Sequence, residues 1–309
     1  MKYKNWLKVW LENYVKPVSK QRTYIRYQQV VLNHILPNLG DMEMNGVTPV
    51  LLQQFLTKLL QTGNRKTGQG LSVNSVHIVV TILQNSFQMA YELGFVDKEV
   101  ARKLKRPKTQ EKKIICFTIQ EQKRIEEEII KNKKIKMYGI LLCLYTGLRI
   151  GELLALEWSD INFRTKEISV TKTCFDGKDK NDRFCRITGT PKTITSIRTI
   201  PIPKSLLPML KMLKSMAKNQ YVISDSEKVL SVRSYQRSFE RLLKKIRIEK
   251  KGFHALRHTF ATRALEIGMD VKTLSEILGH KNANVTLQRY AHSMPEHKKD
   301  MMNKIGKLL

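Results

Sequence analysis

The feature that most restricts the fold is a change of period partway along the chain. Through the first 160 residues apolar side chains recur every three or four positions, as one face of a helix requires. "EISVTKT", "FCRITGT" and "SIRTIPIP" instead alternate every second position and are rich in Ile, Val and Thr. They read as three short strands, with Asp176-Gly177 as a turn signal in the first connection. From Ser205 onward the helical spacing returns. The expected fold is therefore mainly α with one small β-meander in the second half.

Residues 1–100 read as about four helices and no strand. In "NWLKVWLENYV" Trp6, Leu7, Trp10, Leu11 and Tyr14 share one apolar face. "TYIRYQQVVLNHILPNLG" continues until Pro37 and Gly40 stop it, and Thr48-Pro49 opens the next helix as N-cap and first helical residue. The polar loop "QTGNRKTGQG", carrying Arg65 and Lys66, precedes a long helix that stops at Gly94. "ARKLKRPKTQEKKI" then packs Arg102, Lys103, Lys105, Arg106, Lys108, Lys112 and Lys113 around Pro107, which fixes its own φ and discourages helix before it. We expect a helical domain at 1–106, a basic linker at 107–116 and a second domain at 117–309 that ends in a tail segment, 293–309. A chain of 309 residues has room for both. In the second domain Thr118 and Glu121 make a capping-box pattern, and Gly147 ends an apolar helix.

Charge narrows the partner. The chain carries 56 Lys+Arg against 27 Asp+Glu, a net +29, of which +10 falls in residues 1–108 and +19 in the remainder. Such an excess repels itself in a compact state, so a polyanion is the natural partner, and both halves are built to face it. Cys116, Cys143, Cys174 and Cys185 have neither CxxC nor zinc-ligand spacing and fit reduced thiols. The N-terminus has no uninterrupted apolar core, and no segment approaches the roughly 18 apolar residues of a membrane span, so a soluble cytoplasmic protein is expected. There is no HExxH and no GxxxxGK[ST], so we expect no metal and no nucleotide.

Three places bear chemistry. In "TGLRIGELLAL", Arg149 sits among apolar residues, where an arginine wants an anion; Glu152 at i+3 supplies one reading, a plain ion pair. In "FHALRHTFATRALEIG", His254 and Arg257 project from one helical face, a fork of donors beside a ring donor that suits phosphate, while His258 and Arg263 fall on other sides. The plainer alternative has His254 capping the helix and Arg257 in solvent. In "LGHKNANVTLQRYAH", a helix ends at Gly279, His280 is placed at that end, and a new helix carries Tyr290, either a core aromatic or a nucleophile.

Together, and in this order, these phrases resemble the tyrosine recombinase (phage integrase) family: "TGLRIGELLALEW", "HALRHTFAT", "LGHKN" and a tyrosine ten residues after the histidine. The resemblance covers residues 117–309. The first half looks like the family's SAM-like core-binding domain, and "PKTITSIRTIPI" brings the chain nearest to integrases of conjugative transposons and phages of low-GC Gram-positive bacteria. The resemblance implies that Arg149 and Arg257 neutralise the scissile phosphate, that His254 and His280 assist, and that Tyr290 attacks. It also implies that Lys192, on a hairpin between strands, protonates the leaving 5′-hydroxyl, although Lys172, Lys178 and Lys180 lie close by. Glu152 and His258 become supporting residues. Arg65, Lys66, Arg102, Lys103, Lys105 and Arg106 become candidate DNA contacts. The implied partners are double-stranded DNA with core recombination sites, a homotetramer on synapsed DNA that is monomeric in solution, and directionality or host DNA-bending factors. In such a tetramer the tail packs on the neighbouring protomer. Two rivals share much of this: a type IB topoisomerase, and a DNA-binding regulator that has lost catalysis.

Overall fold

Side-chain caps at Thr48 and Thr118 mark two of the helix starts that the sequence pattern implies. The computed structural model describes residues 1–109, 114–178, 183–191, 194–224, 230–290 and 302–303. The chain divides into two units, Met1–Lys112 and Lys113–Leu309.

In the first unit α1 (Tyr3–Val9) runs on into a wider-wound stretch, Trp10–Val15. Helix α2 (Gln21–Val30) likewise continues through Val31–Ile35 into α3 (Leu36–Leu39). Helix α4 (Pro49–Thr62) starts at Thr48, whose hydroxyl accepts from the Leu51 N–H, and α5 (Val73–Glu92) starts at Ser72, which accepts from Ser75. On α5, Val76, Val79, Val80, Leu83, Phe87 and Ala90 keep a three-to-four spacing and are all buried. Each such side chain contributes roughly 1.5–3 kcal/mol by leaving water, and Leu83→Ala would cost about 2–5 kcal/mol. Tyr3 and Ser86 share a hydrogen bond of 2.7 Å inside this core. The stretch after α5 lies on the same unit: Ala101 and Leu104 are buried, the Lys105 N–H donates to Gln53, and Arg106 donates to Gln84.

The second unit opens with α6 (Ile119–Asn132), and the Thr118–Glu121 capping box forms as expected. Helix α7 (Ile135–Thr146) is buried on nearly every side and ends at Gly147, in the left-handed conformation at φ 67°. Helix α8 (Ile150–Ala155) follows. The strands are β1 (Ile161–Asn162), β2 (Glu167–Val170), β3 (Thr173–Lys178), β4 (Phe184–Gly189) and β5 (Arg198–Pro201). Helices α9 (Leu207–Ser215), α10 (Val232–Lys245), α11 (His254–Glu266), α12 (Val271–Leu278) and α13 (Ala283–Tyr290) complete the described elements. Helix α11 packs on α7.

The β region is not one three-stranded meander. β1, β2 and β5 form an antiparallel sheet in that order, while β3 and β4 pair separately as a hairpin inserted between β2 and β5. "EISVTKT" is therefore two strands, broken after Val170, because alternation marks extended backbone without saying which edge it pairs with. Asp176-Gly177 is no turn: both lie within β3, opposite Arg186 and Cys185. The Asp176 carboxylate instead accepts from the Val232 and Arg233 N–H groups, 2.8 Å each, and closes the start of α10.

Candidate phosphate-binding site

The site is organised by the last turn of α12. Gly279 is left-handed at φ 63°, and the chain closes on itself there through Gly279 N to Glu276 O and His280 N to Ser275 O, both 3.0 Å. A helix C-terminus leaves its final carbonyls without intrahelical donors and carries partial negative charge. Three successive carbonyls are each taken by a different arginine. Arg198 Nε donates to Ile277 O at 2.5 Å, Arg257 Nη2 to Leu278 O at 2.7 Å, and Arg149 Nη2 to Gly279 O at 3.3 Å.

Arg149 is the residue before α8 rather than inside it. Glu152 accepts from its backbone N–H at 2.9 Å and from its Nη1 at 2.7 Å, so the plain ion pair of the sequence reading exists. It is not the whole of it. Glu152 is buried, and Arg198 grips both its oxygens, Nη1 to Oε1 at 3.1 Å and Nη2 to Oε2 at 2.9 Å. Burial alone would raise the Glu152 pKa. The hydrogen bonds and charge of Arg198, joined by Arg149, overwhelm that and hold it at about 2. The Arg149 side chain stays 34% exposed, which leaves it able to meet a ligand.

Arg257 is buried, not in solvent. Its Nη1 donates to Gly147 O at 2.9 Å, and Nη2 lies 2.9 Å from His280 Nε2. Burial, then the charge of Arg149, pull its pKa down to about 9, still protonated at neutral pH. A guanidinium only donates, so His280 Nε2 accepts; the ring proton is assigned to Nδ1, which faces the buried Thr286 hydroxyl at 2.7 Å. Tyr290 is a core aromatic, one of the two sequence readings. Its ring is buried with Ala261, Leu265, Leu274 and Leu278, and its hydroxyl lies 2.8 Å from His258 Nδ1. His258 is thus no bystander on another side of α11: its ring also meets that of His254 edge-on, centroids 4.6 Å apart.

Lys192 and Lys180 lie outside the described residues. Lys172 is committed elsewhere, to Glu157 at 2.5 Å and Asp160 at 3.4 Å. On the first unit Arg65 and Lys66 are exposed in their loop, Arg65 donating to Asn33 at 3.2 Å. Arg102 pairs with Glu99, Lys103 and Lys105 are exposed, and Arg106 reaches Thr81 and Gln84.

Sequence reasoning missed two things. One is the place of Arg198 in the site: the phrase "PKTITSIRTIPI" contains it, but its alternating strand position does not say what it faces. The other is a basic stripe on α10, where Arg233, Arg237, Arg241 and Lys244 stand exposed at helical spacing opposite buried Tyr235, Phe239 and Leu242. Among the described residues no group of three or more His, Cys, Asp or Glu could hold a metal, and no helix is long and apolar enough to cross a membrane.

Two arginines, imidazoles and a buried phenol around one helix end define a class of site, one suited to holding a phosphodiester beside a tyrosine. Residues 107–297 match the model of the phage integrase family, and residues 2–60 match the N-terminal SAM-like domain of phage integrases. The chain belongs to the phage integrase family, the tyrosine recombinases. It is 31% identical to a XerC-like tyrosine recombinase of Caldanaerobacter subterraneus subsp. tengcongensis, over 97% of this chain and 81% of the relative. It is 26% identical to the ICEBs1 integrase of Bacillus subtilis, over 94% and 79%. Among solved structures, the Tn1549 transposon integrase in complex with transposon right-end DNA has the same fold, with TM-score 0.79 at 20% identity over 99% of this chain and 100% of that one. The lambda integrase tetramer bound to a Holliday junction matches with TM-score 0.70 at 21% identity, over 92% and 78%.

Proposed function

We propose that this chain is a site-specific DNA recombinase that integrates or excises a mobile element, cutting and rejoining DNA through a covalent 3′-phosphotyrosyl intermediate. The observation that carries the reading is the gathering of Arg149, Arg257 and His280 at one helix end, with Tyr290 on the next helix. Arg149 and Arg257 hold the non-bridging oxygens of the scissile phosphate, where charge builds as the tyrosine approaches. Each well-placed donor of this kind contributes roughly 10²–10³ in rate. The Tyr290 oxygen bonds to phosphorus, the bond from phosphorus to the 5′-oxygen breaks, and the departing 5′-hydroxyl takes a proton, which Lys192 supplies. Attack by another strand's 5′-hydroxyl reverses the sequence and restores a phosphodiester. The phenolic proton goes first to His258, the imidazole already in hydrogen-bond contact with it; His254 stands against that ring, and His280 donates to the phosphate once Arg257 turns to it and the ring proton moves from Nδ1 to Nε2.

The partner is double-stranded DNA carrying core sites. The +29 charge supports this, as does the exposed basic stripe of α10, which we assign to the DNA face of the catalytic unit. The helical unit with Arg65, Lys66, Arg102, Lys103, Lys105 and Arg106 binds the same duplex, with residues 107–116 as the linker. A tetramer on synapsed DNA, exchanging the 293–309 tails, is the assembly we infer from the lambda integrase tetramer, and the free chain is a monomer. Directionality or DNA-bending factors complete the partner set, and the site of action is the cytoplasm.

A nicked suicide duplex containing the element's core site tests the reading. Wild-type protein accumulates a covalent protein–DNA adduct, and Tyr290→Phe binds the same DNA without forming it. Adduct with relaxation of supercoils but no recombinant from two sites would favour a topoisomerase. DNA binding with no adduct would favour a regulator.

A further inference from the structure

The site contains a third arginine whose role differs from that of the other two. Arg198 lies on β5 and is only 5% exposed. Its Nε donates to Ile277 O, Nη1 to Glu152 Oε1 and Ser196 O, and Nη2 to Glu152 Oε2. Four of a guanidinium's five N–H groups are therefore spent on the protein. A side chain so enclosed and so occupied is not placed to grip DNA.

What it holds is the frame of the two residues that are so placed. Each oxygen of Glu152 accepts two bonds, one from Arg149 and one from Arg198, which uses the full capacity of the carboxylate. A buried carboxylate with one cation in place of two is poorly compensated and re-forms its contacts around the cation that remains. At the other end Arg198 fixes the α12 terminus through Ile277 O. It also lies against Gly279, where an added Cβ would come within 3.0 Å of Arg198 Cδ and 3.1 Å of Nη1. His280 is the next residue, and Arg149 reaches Gly279 O. One side chain thus sets Arg149 through Glu152 and His280 through the helix turn.

We propose that Arg198 is a positioning residue of the cleavage site, acting through Arg149 and His280 without touching DNA. This rests on the recombinase reading above. Displacing a phosphate-binding group by about 1 Å costs about 100-fold in rate. Arg198→Lys keeps the charge but replaces the fork by a point donor. It should slow adduct formation about 100-fold at saturating DNA with little change in the DNA concentration for half-maximal rate.

A substrate with one non-bridging oxygen of the scissile phosphate replaced by methyl carries one charge fewer, so it depends less on Arg149. On it the defect of the Arg198→Lys protein should shrink by about an order of magnitude or more. In a Glu152→Gln background, Arg198→Lys should add less than its full loss, since the path through the carboxylate is already cut and only that through the α12 turn remains. Equal loss on both substrates, or full additivity with Glu152→Gln, overturns the proposal and leaves Arg198 a fold residue. Should Arg198→Lys not fold, Glu152→Gln alone gives the same comparison of substrates, and equal loss there overturns it equally. Absence of adduct with wild-type protein on the ordinary phosphodiester overturns the recombinase reading itself, a result distinct from any of these.

Discussion

The Tyr290 hydroxyl lies 2.8 Å from Nδ1 of His258, while the Tyr290 ring is buried against α11 and α12. The tyrosine is held by one residue of "HALRHTFAT" and packed by others, so the proposed mechanism requires DNA to draw the hydroxyl from an imidazole to a phosphate. Replacing His258 by Asn keeps a polar partner but removes the proton acceptor. Adduct formation on a suicide duplex should fall about 10²–10³-fold, with the limb of the pH–rate profile due to the base lost or displaced. An unchanged pH profile would show that His258 only packs.

Gly279 supplies a second prediction. Its φ of 63° costs an L-residue roughly 1–2 kcal/mol, and the new methyl would press on Arg198 and on Thr195 O. Gly279→Ala should lower the unfolding free energy by at least that amount in urea titrations. It should also slow cleavage, because the turn carrying His280 and three arginine-bound carbonyls must shift. Wild-type stability in this variant would mean that the left-handed turn is not required.

Much of this site is legible in local phrases, because Arg149, Glu152, Arg257, His280 and Tyr290 each sit beside a helix end that the sequence announces. Arg198 is not, since its partners Glu152 and Ile277 are 46 and 79 residues away and a strand period says nothing of what faces its buried side. The same limit hides the division of the β region. Alternation tells strand from helix, but pairing is decided by distant edges, and Asp176 finds its donors at the start of α10, 56 residues on. The helical projection also misplaces His258 on another side of α11, because position i+4 from His254 shares its face as i+3 does.

Glu152 gives the chain a pH-dependent contribution to stability. Its pKa is about 2 in the folded protein and about 4.3 when exposed in the unfolded chain. A depressed carboxylate stabilises the fold above its unfolded pKa and loses that contribution as pH falls toward the folded one. The window is therefore about pH 4.3 down to 2, and the amount roughly 3 kcal/mol. Glu152→Gln lacks this group, so the stability gap between wild type and variant should narrow across that window in urea titrations. Parallel profiles would show that Glu152 is not strongly depressed.

The α10 stripe should appear in salt dependence. Every phosphate that a cation no longer neutralises takes about 0.9 from the slope of log K against log salt. Arg237→Gln and Arg241→Gln should each flatten the slope by about that much, with little change in adduct formation once DNA is saturating. No change in slope would move the DNA face off α10.

Lys192 and Lys172 provide the sharpest separation. Lys172 is already bound to Glu157 and Asp160, so Lys172→Ala should cost stability of about 1 kcal/mol or less and leave cleavage near wild type. Lys192→Ala should slow cleavage of an ordinary phosphodiester about 10²–10⁴-fold, the usual scale for removing a general acid. A duplex with sulfur in place of the bridging 5′-oxygen releases a thiolate, which needs no proton to depart. On that substrate the Lys192→Ala protein should cleave nearly as fast as wild type, because the only step that needed the ammonium has been removed. If Lys172→Ala is the slow variant and sulfur rescues it, the ion pairs with Glu157 and Asp160 must break on DNA and the acid is Lys172. If sulfur rescues neither, the leaving strand takes its proton from another group, and Lys192 acts by binding phosphate.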